Sequence, residues 1–278
     1  GGTIEGARKE RISNSENNVD GKFKNLVETD MSAPPMSALW EAMTGGEKKD
    51  PQQQIFTKSF TTNDYLNYAT DSTYKMTWFG HSSVLLQLAN KNILIDPIFG
   101  ERASMFSFMG PERYDYNSHV TVEDMPKLDA VVISHDHYDH LDYPTFELLK
   151  LKVSQFFVPL GVGAHLESWG IPAEQITELD WRESAQLEEI KVVFVPSRHF
   201  SGRGIQDRFN TLWGAWIIEG MGKKLFFGGD SGYFDGFKTI GDEFGPFDFA
   251  MLECGQYSKY WPSIHMMPEQ SVQAALDV

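Results

Sequence analysis

Between His135 and Asp142 the chain reads HDHYDHLD, three histidines and three aspartates in eight positions, directly after the apolar run VVIS. Imidazole nitrogen suits zinc and other first-row metals, and carboxylate oxygen completes such sites. Side chains alternate in an extended segment, so His135 and His137 point to one side, toward one ion. Asp139 and His140 then turn with the chain toward a second. Two ions about 3.5–4 Å apart can hold a hydroxide between them, and bound metal lowers the pKa of water to roughly 7. The expected nucleophile is that bridging hydroxide. So many ionisable groups buried together without a metal would carry a large desolvation cost.

Two ions need more ligands than one loop supplies. His199 follows VVFVPSR, the end of a strand, and Asp230 follows LFFGG, whose glycines let the backbone come close; its carboxylate is expected to be shared by both ions. Arg198 and Arg203 flank His199 and could meet an anionic substrate group, the alternative being a solvated or salt-bridged guanidinium. His119 and His165 have no partner motif and are expected at the surface or in loops. Trp181, Trp213 and Trp216 are expected in the core.

These side chains must be carried by a sheet. KMTWFG and SVLLQLA read as strands, and NKN at 90–92 as a turn before ILIDPIF, which makes an antiparallel hairpin from Tyr74 onward. LDAVVIS (128–134) is a short continuous apolar run, the pattern of a strand covered on both faces. Asp142 is placed to cap a helix with Pro144 in its first turn and Phe146, Leu148 and Leu149 on its buried side. The His/Asp stretch is therefore a strand-to-helix loop. QFFVPL and KVVFVP are further strands with a helix near GAHLESWG, and GVG at 161–163 is a turn. TLWGAWIIE and LFFGGD form a second hairpin, FDFAMLE is one more strand, and MPEQSVQAALDV is a helix opened by Pro268 and Glu269. The pattern predicts an α/β sandwich of two mixed sheets between outer helix layers. Residues 1 to about 25 read as a solvated polar arm and 23–73 as an irregular extension, so the division expected is 1–73 for arm and extension and 74–278 for the domain.

Bulk composition removes several classes. The net charge is −15 and the pI near 4.9, and no basic face is visible, so the sequence gives no support for nucleic-acid binding. The same charge weakens adhesion to anionic membranes, although a local apolar patch could still make peripheral contact. The single cysteine, Cys254, excludes an intramolecular disulfide framework and fits a reducing compartment. No apolar run reaches the length of about 18 residues that spans a bilayer. The cytoplasm or a membrane surface is the expected location, with the periplasm kept open, and the oligomeric state is left open.

These motifs resemble the metallo-β-lactamase fold hydrolases, most closely the branch containing N-acylphosphatidylethanolamine-hydrolysing phospholipase D and its bacterial relatives. The resemblance covers most of 74–270 through WFGHSSVLLQL, ILIDPIFGERAS, GPERY, ISHDHYDHLD, PSRHFSGR, NTLWGAWII, FFGGDSGYF and HMMPEQ. It implies an αββα sandwich holding two divalent ions, Zn2+ first, with Mn or Fe as alternatives. By the same resemblance His135, His137 and His199 hold one ion, Asp139 and His140 the other, and Asp230 bridges. Asp139 also orients the nucleophile or acts as its base. His81 and Asp96 line the floor behind the ligands, and His265 contacts substrate or transfers a proton, against a plain helix-capping role. The family pattern continues to a histidine in an H-W-G context that is not found up to Val278. The expectation is therefore a domain lacking its last strand and helix, with the second metal weakly held or absent, unless His265 substitutes.

The function expected is that of a dinuclear metal-dependent hydrolase, a phosphodiesterase acting on a phospholipid-type or other small-molecule substrate. A lactonase or carboxylic ester hydrolase on a small substrate, phosphorylated or not, is the alternative, and a non-catalytic metal-binding module is a third. Redox di-iron chemistry is set aside because His137 stands where those relatives carry glutamate. The RNA-processing branch is set aside on charge.

Overall fold

The computed structural model describes residues 1–31, 51–59, 64, 73–102, 112–114, 116–117, 120–204, 206–254 and 260–278. The N-terminal segment forms helix α1 (Gly6–Ser13) and a short ribbon, β1 (Asn18–Val19) with β2 (Lys22–Phe23). This corrects the solvated arm expected here. Ile12 and Phe23 are buried in the central core, the Phe23 N–H donates to Phe209 O at 2.9 Å, and Arg8 pairs with Glu178 at 2.6 Å and Glu167 at 2.7 Å. A polar sequence hid two apolar anchors spaced too widely to show a period. Most of the expected extension over 32–72 lies outside the described residues.

The first sheet is mixed. β3 (Lys75–Trp78), β4 (Val84–Leu88) and β5 (Lys91–Ile95) run antiparallel; β6 (Leu128–Val132), β7 (Val153–Pro159) and β8 (Ile176–Leu179) then add in parallel, in the order β3-β4-β5-β6-β7-β8. Ala89 and Asn90 make the β4–β5 turn with φ of 49° and 58°, the left-handed pair whose twist matches a hairpin. Helix α2 (Tyr143–Leu149) follows β6 and helix α3 (Gly163–Ser168) follows β7. Leu148 is 48% exposed, so only Phe146 and Leu149 of the three expected residues face inward. Asp142 stands at the cap position, yet its carboxylate accepts from Gly100 N at 3.0 Å and Thr145 Oγ at 2.5 Å instead of closing a capping bond.

The second sheet has the order β13-β12-β11-β10-β9, built from β9 (Ser184–Leu187), β10 (Ile190–Val195), β11 (Ala215–Gly220), β12 (Lys223–Phe227) and β13 (Phe249–Met251). Its pairs are antiparallel except β12–β13. Helices α4 (Gly236–Phe244) and α5 (Pro268–Asp277) cover its outer face. Three apolar clusters follow from this order: one between the sheets, one between the first sheet and α2–α3, and one between the second sheet and α4–α5. The result is the predicted αββα sandwich. Trp181, Trp213 and Trp216 are buried in the central layer, each indole N–H donating to a carbonyl at 2.7–3.1 Å. β5, β6, β10, β12 and β13 all end at the same edge of the sandwich, because the antiparallel step through β11 restores direction. Among the described residues no helix is long and apolar enough to cross a membrane.

Candidate metal centre

Each of those five strand ends delivers a titratable side chain. Asp96 leaves β5, the HDHYDH stretch leaves β6, His199 leaves β10, Asp230 leaves β12 and Glu253 leaves β13. His137 Nδ1 lies 2.9 Å from His135 Nε2 and 3.2 Å from His199 Nε2. His140 Nε2 lies 3.3 Å from Asp230 Oδ1, and the other Asp230 oxygen is 3.8 Å from His199 Nε2. Asp230 thus spans the two halves of the cluster. The ligand atoms of four overlapping triplets fall within 4.8 Å of one another: His135/His137/His199, His81/Asp139/His140, His135/His140/Asp230 and His199/Asp230/His265. Gly229 permits this approach: at φ 57°, a Cβ there would meet Gly214 O and Ser134 Cβ at 2.9 Å.

The partners behind the rings determine which nitrogen faces inward. His140 Nδ1–H donates to Asp96 Oδ2 at 2.7 Å, and His199 Nδ1–H donates to Ile264 O at 3.0 Å. Ser134 Oγ donates to Asp96 Oδ2 at 2.5 Å and so accepts from His135 Nδ1–H at 2.9 Å. Three rings therefore turn Nε2 to the centre, the orientation that outer hydrogen bonds impose on metal-bound histidines. His137 carries at most one Nδ1 proton between His135 and His199, so at least one lone pair there faces another. Among the described residues, buried His140 Nε2 has no well-formed hydrogen bond, its neighbour being Asp230 Oδ1 at 3.3 Å. A cation among these atoms resolves every one of those conflicts, and the donor set of imidazole and carboxylate is one a first-row divalent metal takes.

The electrostatics agree for every ring but His140, whose Nε2 proton a metal would have to displace. Burial, then the neighbouring rings, hold His135 well below the ordinary histidine value; burial holds His199 well below it too and lowers His137. Burial would also lower His140, but Asp230, Asp96 and Asp139 carry it well above the usual value. Burial opposes ionisation of Asp230, yet His140 and His199 drive its carboxyl far below the carboxylate range. Ligands must be deprotonated to bind metal, and most of this set already is.

The structure gathers His135, His137, Asp139, His140, His199 and Asp230 as the sequence predicted. Asp96 is buried behind His140, on the floor expected for it. His81, expected there too, is half-exposed, with Nε2 3.4 Å from Asp139 Oδ2, and so stands at the mouth. Both take left-handed backbone conformations, φ 46° at His81 and 39° at Asp96, a region that His and Asp enter more readily than most side chains. His265 Nδ1 is 3.2 Å from Glu253 Oε1 and 4.0 Å from Asp230, which places it at the cluster instead of at a helix cap.

The two arginines expected to meet substrate both make hydrogen bonds within the protein, Arg198 from all three of its nitrogens and Arg203 from Nη1. Arg203 donates to Asp136 O at 2.8 Å and Leu141 O at 2.6 Å and lies 4.0 Å from the centre of the Tyr138 ring, so it staples the ligand loop. Arg198 donates to Glu28 O, Thr29 Oγ1 and Tyr233 O. His165 is not a surface residue: it is buried, with Nε2 3.3 Å from Asp136 Oδ2. His119 lies outside the described residues. Sequence reasoning missed Ser134, Asp136, Glu253 and Asn25. Glu253 ends a strand just as Asp230 does, which was the available signal; for Asn25 there was none. A cavity of about 620 Å³ flanks the cluster on the side of His81 and Glu253, with apolar walls at Met76, Trp78, Phe249 and Met251.

An αββα sandwich whose strand ends converge histidines and aspartates on one centre defines the metallo-hydrolase class. Residues 91–278 match the model of the Beta-lactamase superfamily domain, and the chain belongs to that superfamily as one of its metal-dependent hydrolases. It is 44% identical over 269 residues to an uncharacterized protein of Mycobacterium tuberculosis, covering 95% of this chain and 71% of that one. It is 35% identical over 239 residues to N-acyl-phosphatidylethanolamine-hydrolyzing phospholipase D 1 of Caenorhabditis elegans; the match covers 82% of this chain and 66% of the nematode protein. Among solved structures, Igni18, a metallo hydrolase from Ignicoccus hospitalis, overlays with a TM-score of 0.54 at 26% identity, over 73% of this chain and 77% of that one.

Proposed function

We propose that the chain hydrolyses phosphodiesters of phospholipid type with the help of two divalent cations, zinc first among them. The observation that carries this reading is Asp230 lying between two ligand groups, 3.3 Å from His140 and 3.8 Å from His199. His135, His137 and His199 would hold one cation, Asp139 and His140 the other, with Asp230 shared. When bound, such a pair supplies Lewis-acid polarisation of a phosphoryl oxygen and a water nucleophile active near neutral pH. The side chains do the rest. Asp139 faces both the cluster and His81, so it can take the proton of the attacking water and pass it toward solvent. As the new oxygen–phosphorus bond forms, the bond to the alcohol breaks. His265 is held by Glu253, which with Asp230 raises its pKa against the effect of burial, so it carries the proton for the departing oxygen. The phosphodiester preference is supported by the similarity to the nematode phospholipase, and a lipid-type substrate by the apolar walls beside His81.

The test has two parts. Elemental analysis of the purified protein should find about two metal ions per chain, as a dinuclear centre requires. A parallel assay on bis-p-nitrophenyl phosphate, N-acylphosphatidylethanolamine vesicles and lactones should show turnover of the phosphodiesters. Cleavage of lactones alone would reverse the substrate assignment. Metal binding without hydrolysis of any ester would leave a metal-binding module.

A further inference from the structure

We propose that Asn25, on the N-terminal segment, is a positioning residue for the metal-binding face of His199; the inference rests on the metal centre described above. His199 sits in the loop after β10, its side chain almost fully buried, where among the described residues no strand pairs with its main chain. Both of its backbone groups meet one side chain: Asn25 Nδ2–H donates to His199 O at 2.8 Å, and the His199 N–H donates to Asn25 Oδ1 at 3.2 Å. The carboxamide therefore acts as a one-residue strand. Together with the Nδ1–H bond to Ile264 O, it fixes the residue at three points and leaves Nε2 as the free nitrogen, 3.2 Å from His137 and 3.8 Å from Asp230.

The chain beyond Asn25 strengthens the clamp. Arg198, next to His199, donates to Glu28 O at 2.7 Å and Thr29 Oγ1 at 3.2 Å, so residues 25–29 lie along the loop that carries the ligand. The segment is fastened elsewhere by separate contacts: Phe23 is buried in the core, and Ser15 and Asn17 donate to Asp180 at 2.5 and 2.8 Å. Holding the segment in place and holding His199 in place are therefore separable. Partners that orient a metal ligand from behind affect affinity for the metal, whereas a contact that only fastens a segment affects folding.

The experiment uses the full chain and zinc ion alone, with no substrate. Zinc affinity is measured by competition with a chromogenic chelator for the wild type, Asn25→Ala, Asn25→Asp and Asn17→Ala, alongside urea unfolding of each metal-free protein. Asn25→Ala should weaken zinc binding about tenfold or more, the usual effect of losing such a partner. Asn25→Asp keeps the acceptor for His199 N–H but sets a carboxylate oxygen against His199 O, so it too should bind zinc less tightly than the wild type; it also carries the test if the alanine variant does not fold. Asn17→Ala should lower stability and leave zinc affinity unchanged. Zinc affinity of folded Asn25→Ala equal to that of the wild type overturns the proposal, as does an equal loss in Asn17→Ala. A wild type that takes up no zinc refutes the metal centre itself, and the clamp with it. Wild-type zinc binding with the expected loss, but without phosphodiester turnover, upholds the clamp and refutes only the substrate reading.

Discussion

Asp96→Asn tests the metal centre at its most buried support. The Asp96 carboxylate is inaccessible to solvent and accepts three hydrogen bonds: from Ser134 N at 2.7 Å, Ser134 Oγ at 2.5 Å and His140 Nδ1 at 2.7 Å. Asparagine keeps the shape but offers one acceptor oxygen and one donor group. If its amino group faces His140, that ring must move its proton to Nε2, the atom that faces Asp230, and the ligating lone pair is lost. If it faces the main chain, the Ser134 N–H is left without an acceptor. In the first case the Ser134 Oγ–H, which shares that oxygen with His140, also loses its acceptor, so either outcome orphans a buried donor at a cost of about 1–3 kcal/mol to the metal-free fold. Loss of such a supporting partner lowers metal affinity about 10–100-fold, with lost activity to match. At about 1.4 kcal/mol per decade, that corresponds to about 1.4–2.8 kcal/mol of binding free energy. Zinc titration against a chelator should therefore show weaker binding at the His140 side of the centre while the three-histidine side changes less, and urea unfolding should show the fold loosened. Two zinc ions bound as tightly as in the wild type would refute the assignment of His140 as a ligand oriented by Asp96.

Arg203→Lys should destabilise the protein by about 1–3 kcal/mol in urea at neutral pH, because a compact ammonium whose nitrogen reaches Asp136 O and Leu141 O leaves no planar group to stack on Tyr138. Arg182→Lys, at an exposed ion pair with Glu243, should change stability by less than about 0.5 kcal/mol. Equal effects would mean that Arg203 does not staple the loop. Asp136 supplies a pH prediction: burial opposes its ionisation, but His165 and the Gly202 N–H bring its carboxyl down from 3.8 to about 2. A depressed folded value stabilises the native state above the unfolded value, and that stability is lost as pH falls toward about 2. The contribution is about 2 kcal/mol at neutral pH. Asp136→Asn should flatten the fall of the urea midpoint between about pH 4 and 2; an unchanged slope would show that this carboxylate does not govern acid unfolding.

What could be read from sequence shares one property: it depends on neighbours in the chain. The strands around Leu86, Val131 and Phe226 show as apolar runs broken by turn residues, and burial on both faces demands such runs wherever the fold places them. The candidate metal ligands show because His135, His137, Asp139 and His140 crowd one short loop, and because His199 and Asp230 stand where strands end. β8 and β9 escaped notice because ITEL and SAQL are short and weakly apolar, ordered by pairing and not by propensity. The contacts that aim the ligands escaped for a different reason. Asn25 against His199 and Arg203 against Asp136 and Leu141 join residues far apart along the chain, each pairing a side chain with main-chain groups. A main-chain carbonyl is the same in every residue, so such partners have no sequence signature. The chain alone thus determined that imidazoles and carboxylates would gather at the strand ends; only the folded sandwich decided which nitrogen of each ring faces inward, because that depends on which acceptor lies behind it.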